Sequence, residues 1–189
     1  MTRERSMQES EAFRAALMAR LRAITADKIG PLLDAELVRR QAVDPKVGIV
    51  IAHLDDEPIR GEDGQEYKFH AARVYPPAPG EQNFVTPHLH SKGIEPYRFL
   101  SGSKAEMNTG VVRHKEVVWN APREVSVGEE FIVQPGEVHS LRNRGEAPYD
   151  FVFACPDSHL KDHDSTTAPD GDRFIVKDYK NGIPPWYSE

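Results

Sequence analysis

Residues 85–102 are VTPHLHSKGIEPYRFLSG, and the spacing of their histidines and glutamate points to paired strands around a shared centre. His88 and His90 stand two positions apart. On a strand that spacing puts both imidazoles on one face, because side chains alternate sides at each residue. Ser91 to Gly93 has turn composition, so the chain can fold back and bring Glu95 into the same space. Two imidazoles and one carboxylate suit Fe, Mn, Ni, Cu or Zn. Two surface histidines and an ordinary glutamate would look similar, and a second segment strengthens the metal reading. Residues 128–143 read GEEFIVQPGEVHSLRN. Pro135-Gly136 marks a tight turn before a strand on which His139, Leu141 and Asn143 share one face. His139 is the candidate fourth ligand. Three histidines and one glutamate leave one or two coordination positions for water, substrate or dioxygen.

Outward from these segments, strand-like runs recur at 47–53, 66–75, 83–90, 95–101, 104–112, 115–119, 131–134, 139–143 and 149–155. Turn signals separate them, among them Gly61 to Gly64, Pro76 to Gly80 and Asn143 to Gly145. Many short strands with frequent turns predict an all-β sandwich or barrel of antiparallel strands. Upstream, Ser6 and Glu9 fit a capping box that opens a helix over 6–24, with Phe13, Leu17, Leu21 and Ile24 near helical spacing. Pro31 is expected in the first turn of a second helix carrying Leu32, Leu33, Leu37 and Val38. Both helices read as packing on the outside of a sheet or against a second subunit, with a substrate lid as the alternative. After Cys155 the chain is polar and turn-rich. Phe174 to Tyr179 offers one short edge element, and Pro184 to Tyr187 can be tied down by aromatic burial. The expected organisation is a helical extension over 1–44, a β-domain over 45–155 and a tail over 156–189 packed on that domain or on a dimer partner.

Composition narrows the function classes. The 189 residues carry 24 Lys+Arg against 30 Asp+Glu, a net charge of −6 with no basic block, which argues against nucleic-acid binding. No run approaches the roughly 18 apolar residues of a bilayer crossing. The opening MTRERSMQES has no apolar run behind its basic residues, so no secretory signal is read and a cytoplasmic protein is expected. Cys155 is the single cysteine. An internal disulfide and a Cys-rich zinc site are therefore excluded.

The two segments resemble the paired motifs of the cupin superfamily. His88, His90, Glu95 and Gly102 match the first motif in order and spacing; Gly128, Gly136, His139 and Asn143 match the second. Gln134 stands where that motif has its turn proline, and Pro135 follows one place later. The resemblance implies an antiparallel jelly-roll β-barrel with one divalent transition metal inside, near an open end. It also implies frequent dimers, which makes a homodimer the expected assembly. It does not select a reaction, since the family spans oxygenases, isomerases, epimerases, decarboxylases, lyases, sensors and storage proteins.

Parity supplies the remaining candidates. Tyr97 and Phe99 share the face of Glu95; Phe84 and Thr86 share that of His88; Leu141 shares that of His139; Phe151, Phe153 and Cys155 share one face of the last strand. Glu95 and Tyr97 are the candidate catalytic groups. Arg73 is the candidate anchor for a substrate anion, through two parallel hydrogen bonds. Glu106 and Asn108 are candidate polar groups inside the barrel, while Arg98 and Arg142 have the parity of exposed residues. His53 and His70 read as structural or surface groups, and His159 and His163 as tail-loop residues. The leading expectation is an Fe(II) dioxygenase acting on a small organic substrate, with a carboxylate or an aromatic ring among its candidate features. The alternatives are a redox-neutral metal-dependent isomerase, epimerase or lyase, and a non-catalytic ligand-binding protein.

Overall fold

The computed structural model describes residues 11–44, 46–61, 64–77, 83–102 and 104–188. The Ser6–Glu9 capping box, and parts of the turns at 61–64 and 76–80, lie outside them. Among the described residues two helices, α1 (Glu11–Ala23) and α2 (Ala26–Gln41), precede twelve strands. In the first sheet β1 (Ile49–His53), β3 (Glu66–Val74), β11 (Tyr149–Pro156), β5 (Glu95–Ser101) and β9 (Glu130–Val133) lie side by side in that order. The short β2 (Ile59–Arg60) also pairs with β3. The second sheet runs β12 (Phe174–Ile175), β4 (His88–Leu89), β10 (Glu137–Asn143), β6 (Ala105–Arg113) and β7 (Glu116–Trp119). Here β8 (Arg123–Val125) also pairs with β6. All these pairings are antiparallel. The result is an antiparallel β-sandwich, partly curled. The antiparallel strands and N-terminal helices are as expected, and the expected jelly-roll barrel takes the form of two facing sheets that do not fully close, each ending in edge strands.

Strand β11 shows why the layers stack as they do. Every residue of YDFVFACP is buried, because the strand is central and both of its faces are covered. Phe151, Phe153 and Cys155 face the second sheet, in a core with Tyr97, Phe99, Met107 and Leu141. Val152 and Ala154 face the other way, in a core with Phe13, Leu17, Leu21 and Ile24 of the N-terminal segment. The helices thus roof the outer face of the first sheet, with Phe13 edge-on to Tyr67 at 5.0 Å between ring centroids.

Several local expectations change. Helix α2 starts at Ala26, so Pro31 lies inside it rather than in its first turn. Proline there gives up only the hydrogen bond to the Asp27 carbonyl, and burial of Ile29 and Leu33 offsets that loss. The run 83–90 shrinks to a bridge at Phe84 and the two-residue β4. Gln134-Pro135-Gly136-Glu137 forms a turn closed by the Glu137 N–H on the Gln134 carbonyl at 3.0 Å, with Gly136 at φ +79°. Proline second and a left-handed glycine third define a type II turn, so the displaced proline keeps the turn. Gly102, at φ +91°, also needs glycine: a Cβ there would meet the Tyr149 side chain. The tail returns to its own chain, with β12 pairing with β4 and Trp186 and Tyr187 lying over β6 and β10.

Candidate metal centre

Both sheets contribute to one cluster. His88 on β4 and His139 on β10 are direct cross-strand partners, with ring centroids 4.2 Å apart. His90 follows β4, and its ring stands 4.9 Å from that of His88. Glu95 reaches in from the start of β5 in the opposite sheet. All four are buried, and one ligand atom from each lies within 4.8 Å of the others. The backbone orients the imidazoles. Nδ1 of His88 lies 2.6 Å from the Thr86 carbonyl, that of His90 lies 3.0 Å from the Asp172 carbonyl, and that of His139 lies 3.4 Å from the Glu137 carbonyl. A carbonyl only accepts, so each Nδ1 carries the proton and each Nε2 keeps its lone pair for the centre.

The inward atoms fit a cation. Nε2 of His90 and His139 and Oε2 of Glu95 are buried without a hydrogen-bond partner. His90 Nε2 is only 2.8 Å from Glu95 Oε2, and His139 Nε2 is 3.4 Å away, yet both stand off the line that a hydrogen bond requires. Orphaned buried polar atoms are costly, and several aimed at one point are what a divalent ion satisfies. Burial alone drives a carboxyl up; with no cation in the site, His90 and His139 outweigh it in their protonated form and hold Glu95 well below the usual carboxylate range, a role that a bound cation would take over once both Nε2 atoms are bare. Burial, then the neighbouring His139, lowers His88. The site is a metal-binding cluster, and it indicates a metal-dependent active site.

A cavity of about 380 Å³ opens onto the cluster. His88, Glu95 and Tyr97 form its metal end. Ile49, Ile51, Val85, Leu141, Phe151 and Phe153 give it an apolar wall; Thr86 and Arg173 also line it. Burial, then the Glu95 charge and a hydrogen bond with Glu95, pushes the Tyr97 phenol well above its ordinary value. Burial, then Glu95, does the same to the Cys155 thiol.

Five expected pocket residues lie elsewhere. Arg73 sits across β3 from Asp150, which it grips at 2.7 and 2.9 Å, and it also bonds Asp34 at 2.6 Å. It has no free fork for a substrate. Phe99 is buried beside Tyr149 and Phe151, further along β5 than the cavity reaches. Phe84 and Asn108 meet the C-terminal tail, and Glu106 is held by an arginine of the turn after β10. Phe84 packs on Tyr187, Asn108 bonds Tyr187 and Trp186 at 2.9 Å each, and Glu106 bonds Arg144 at 3.1 Å. Arg142 is covered rather than exposed, because its guanidinium lies 4.4 Å from the Tyr187 ring centroid. Arg98 is held by the Ile24 carbonyl at 3.2 Å.

Sequence reasoning missed the contribution of the tail. His159, in the 3-10 turn Asp157–Leu160, stacks on His90 with ring centroids 3.8 Å apart and planes 4° from parallel. Its Nε2 lies 2.8 Å from the Lys92 carbonyl, so the proton sits there. The buried, unpartnered Nδ1 is left 3.9 Å from Glu95 Oε2. Burial, then His90, lowers its pKa to about 4. Asp172 accepts from the backbone N–H of Ser91 and of Lys92 at 3.0 Å each, fixing the turn between His90 and Glu95. No spacing rule links positions 159 and 172 to position 90, which explains why they could not be read.

No family model matches the chain, and no curated protein matches it at a significant level. Solved structures do show similarity. The polyketide cyclase RemF from Streptomyces resistomycificus is 14% identical, over 58% of this chain and 65% of that one, with a TM-score of 0.38. A cupin-2 domain protein from Rhodospirillum rubrum is 13% identical over 58% and 60%, with a TM-score of 0.42. The capsular polysaccharide assembling protein CapF from Staphylococcus aureus is 15% identical over 68% and 32%, with a TM-score of 0.48. The chain spans less than two thirds of the length of each. Among the described residues, no helix is long and apolar enough to cross a membrane.

Proposed function

We propose that the protein is a metal-dependent enzyme that carries out redox-neutral chemistry, as an isomerase, epimerase or lyase, on a small organic substrate in this cavity. His88, His90, His139 and Glu95 would hold one divalent transition metal. Bound there, the metal would supply a Lewis acid for a substrate carbonyl or hydroxyl. The observation that carries the reading is the pair of proton-handling groups beside the cluster. His159 presents a bare Nδ1, fixed by its Nε2 hydrogen bond to Lys92, and serves as the proton acceptor. Tyr97 lines the cavity beside Glu95, on the same face of β5, and serves as a proton donor. The apolar wall excludes bulk water from both.

The same wall favours a second reading, an Fe(II) dioxygenase, because it shelters an open metal face from water. Oxygen dependence separates the two. Metal-loaded protein is assayed against a panel of small hydroxy and oxo acids in air and under strict anoxia. Equal turnover in both supports the redox-neutral reading. Turnover that stops without oxygen, with oxygen consumed in proportion to product, replaces it with the dioxygenase.

A further inference from the structure

Two arginines line the cavity, although neither belongs to the ligand motifs: Arg40 on α2 and Arg173 just before β12. The backbone of Arg173 is pinned on both sides. Its N–H donates to the Lys161 carbonyl at 3.1 Å, and its carbonyl accepts from His163 at 2.9 Å. Among the described residues its guanidinium has one ion pair, 3.0 Å to Asp162, whose side chain is 62% exposed. A pair with so open an acid is worth little in water, so an incoming anion can displace it. Arg173 lies between Asp172, whose carbonyl is 3.0 Å from Nδ1 of His90, and Phe174, the cross-strand partner of Leu89, so its backbone runs beside the metal cluster, and it lines the same cavity as His88, Glu95 and Tyr97. Arg40 bonds Glu36 through Nε alone at 2.8 Å, while Arg39 takes both oxygens of that carboxylate. Arg73, the cation that parity favoured, is occupied by Asp150 and Asp34.

We propose that the cavity binds an organic acid. Its carboxylate lies on the Arg173 guanidinium beside the metal centre, and its hydrocarbon body lies against Ile49, Ile51, Val85, Phe151 and Phe153. Arg40 adds positive potential from the helical roof. A planar fork matches a carboxylate through two parallel charge-assisted hydrogen bonds, and the apolar wall takes the remainder. The proposal deepens, and rests on, the reading of this cavity as the substrate site.

The test is calorimetric titration of the full chain with phenylacetate and with its uncharged counterpart phenylacetamide. Each is run on Zn²⁺-loaded and on chelator-treated protein. Phenylacetate is expected to bind about tenfold more tightly than the amide, with the preference surviving metal removal because Arg173 carries it. Arg173→Gln should abolish the preference, Arg173→Lys should retain part of it, and Asp162→Asn should tighten phenylacetate binding by freeing the guanidinium. Matching thermal melts confirm that the variants are folded. A preference undiminished in Arg173→Gln, or no phenylacetate binding to native protein at millimolar concentration, overturns the proposal. If the chain takes up no metal yet shows an Arg173-dependent preference, the acid site stands and the metal-dependent reaction falls.

Discussion

Glu95 is 4% exposed, and Oε2 faces three imidazoles without one hydrogen bond to satisfy it. Glu95→Gln keeps the shape and removes the charge. Bound metal, measured by elemental analysis after dialysis, should fall with an affinity loss greater than about tenfold, since the ligand set loses its only anion. Undiminished metal content would remove Glu95 from the centre. His70 makes a different prediction. It is fully buried between His53 and Phe153, neither ring nitrogen has a partner, and burial, followed by His53, lowers its pKa to about 4. The unfolded chain takes up this proton near pH 6.5 and the folded one only near 4. The stability is therefore complete above about pH 6.5 and is lost as pH falls towards 4, by up to about 3 kcal/mol. His70→Leu should flatten the melting temperature between pH 7 and pH 5, leaving the slope that His159 contributes. An unchanged slope would show that His70 is not buried uncharged. The four ligand positions were legible because the two-residue strand period and the turn signals are local. Arg73 was not legible, because parity gives a face but cannot show that Asp150 waits on the adjacent strand.

At the scale of elements, the metal cluster joins two sheets and a tail. Strands β4 and β10 supply His88 and His139 as cross-strand partners, β5 supplies Glu95 from the facing sheet, and the tail segment 157–173 braces His90. Asp172 is the clearest brace, because its carboxylate ties down the Ser91 and Lys92 backbone between two ligands. Asp172→Ala should therefore weaken metal affinity about 10- to 100-fold, as loss of supporting hydrogen bonds does, while the far-ultraviolet spectrum stays native. Native affinity in that variant would reduce the tail to a cover. Most strands were legible from alternation and turns. The exceptions are β2 and β8, two and three residues long and too short to show a period; their partners create them, while the edge element read at Phe174–Tyr179 is present as β12 but only two residues long. The second helix shows the opposite case. Pro31 is a strong start signal on its own, but burial of Ile29 and Leu33 against the first sheet extends the helix past it.

For the whole molecule, helices and first sheet share one core, so they should melt together. Leu17 is fully buried in that core. Leu17→Ala should cost about 2–5 kcal/mol and leave a single cooperative transition. A separate low-temperature step in which helix is lost and the sheet persists would show that the roof is an independent unit. Composition and strand count already pointed to a two-layer β-fold, but whether the sheets close was not legible. Closure depends on strand tilt and on which edges pair, and neither leaves a mark in single residues. The central claim is that residues from both sheets aim one carboxylate and three imidazoles at a common ion. It is tested most directly by an anomalous-difference map from crystals of the metal-loaded protein. One strong peak between Nε2 of His88, His90 and His139 and the Glu95 carboxylate is the predicted result. No peak there, with the same metal found only at surface residues, would contradict it.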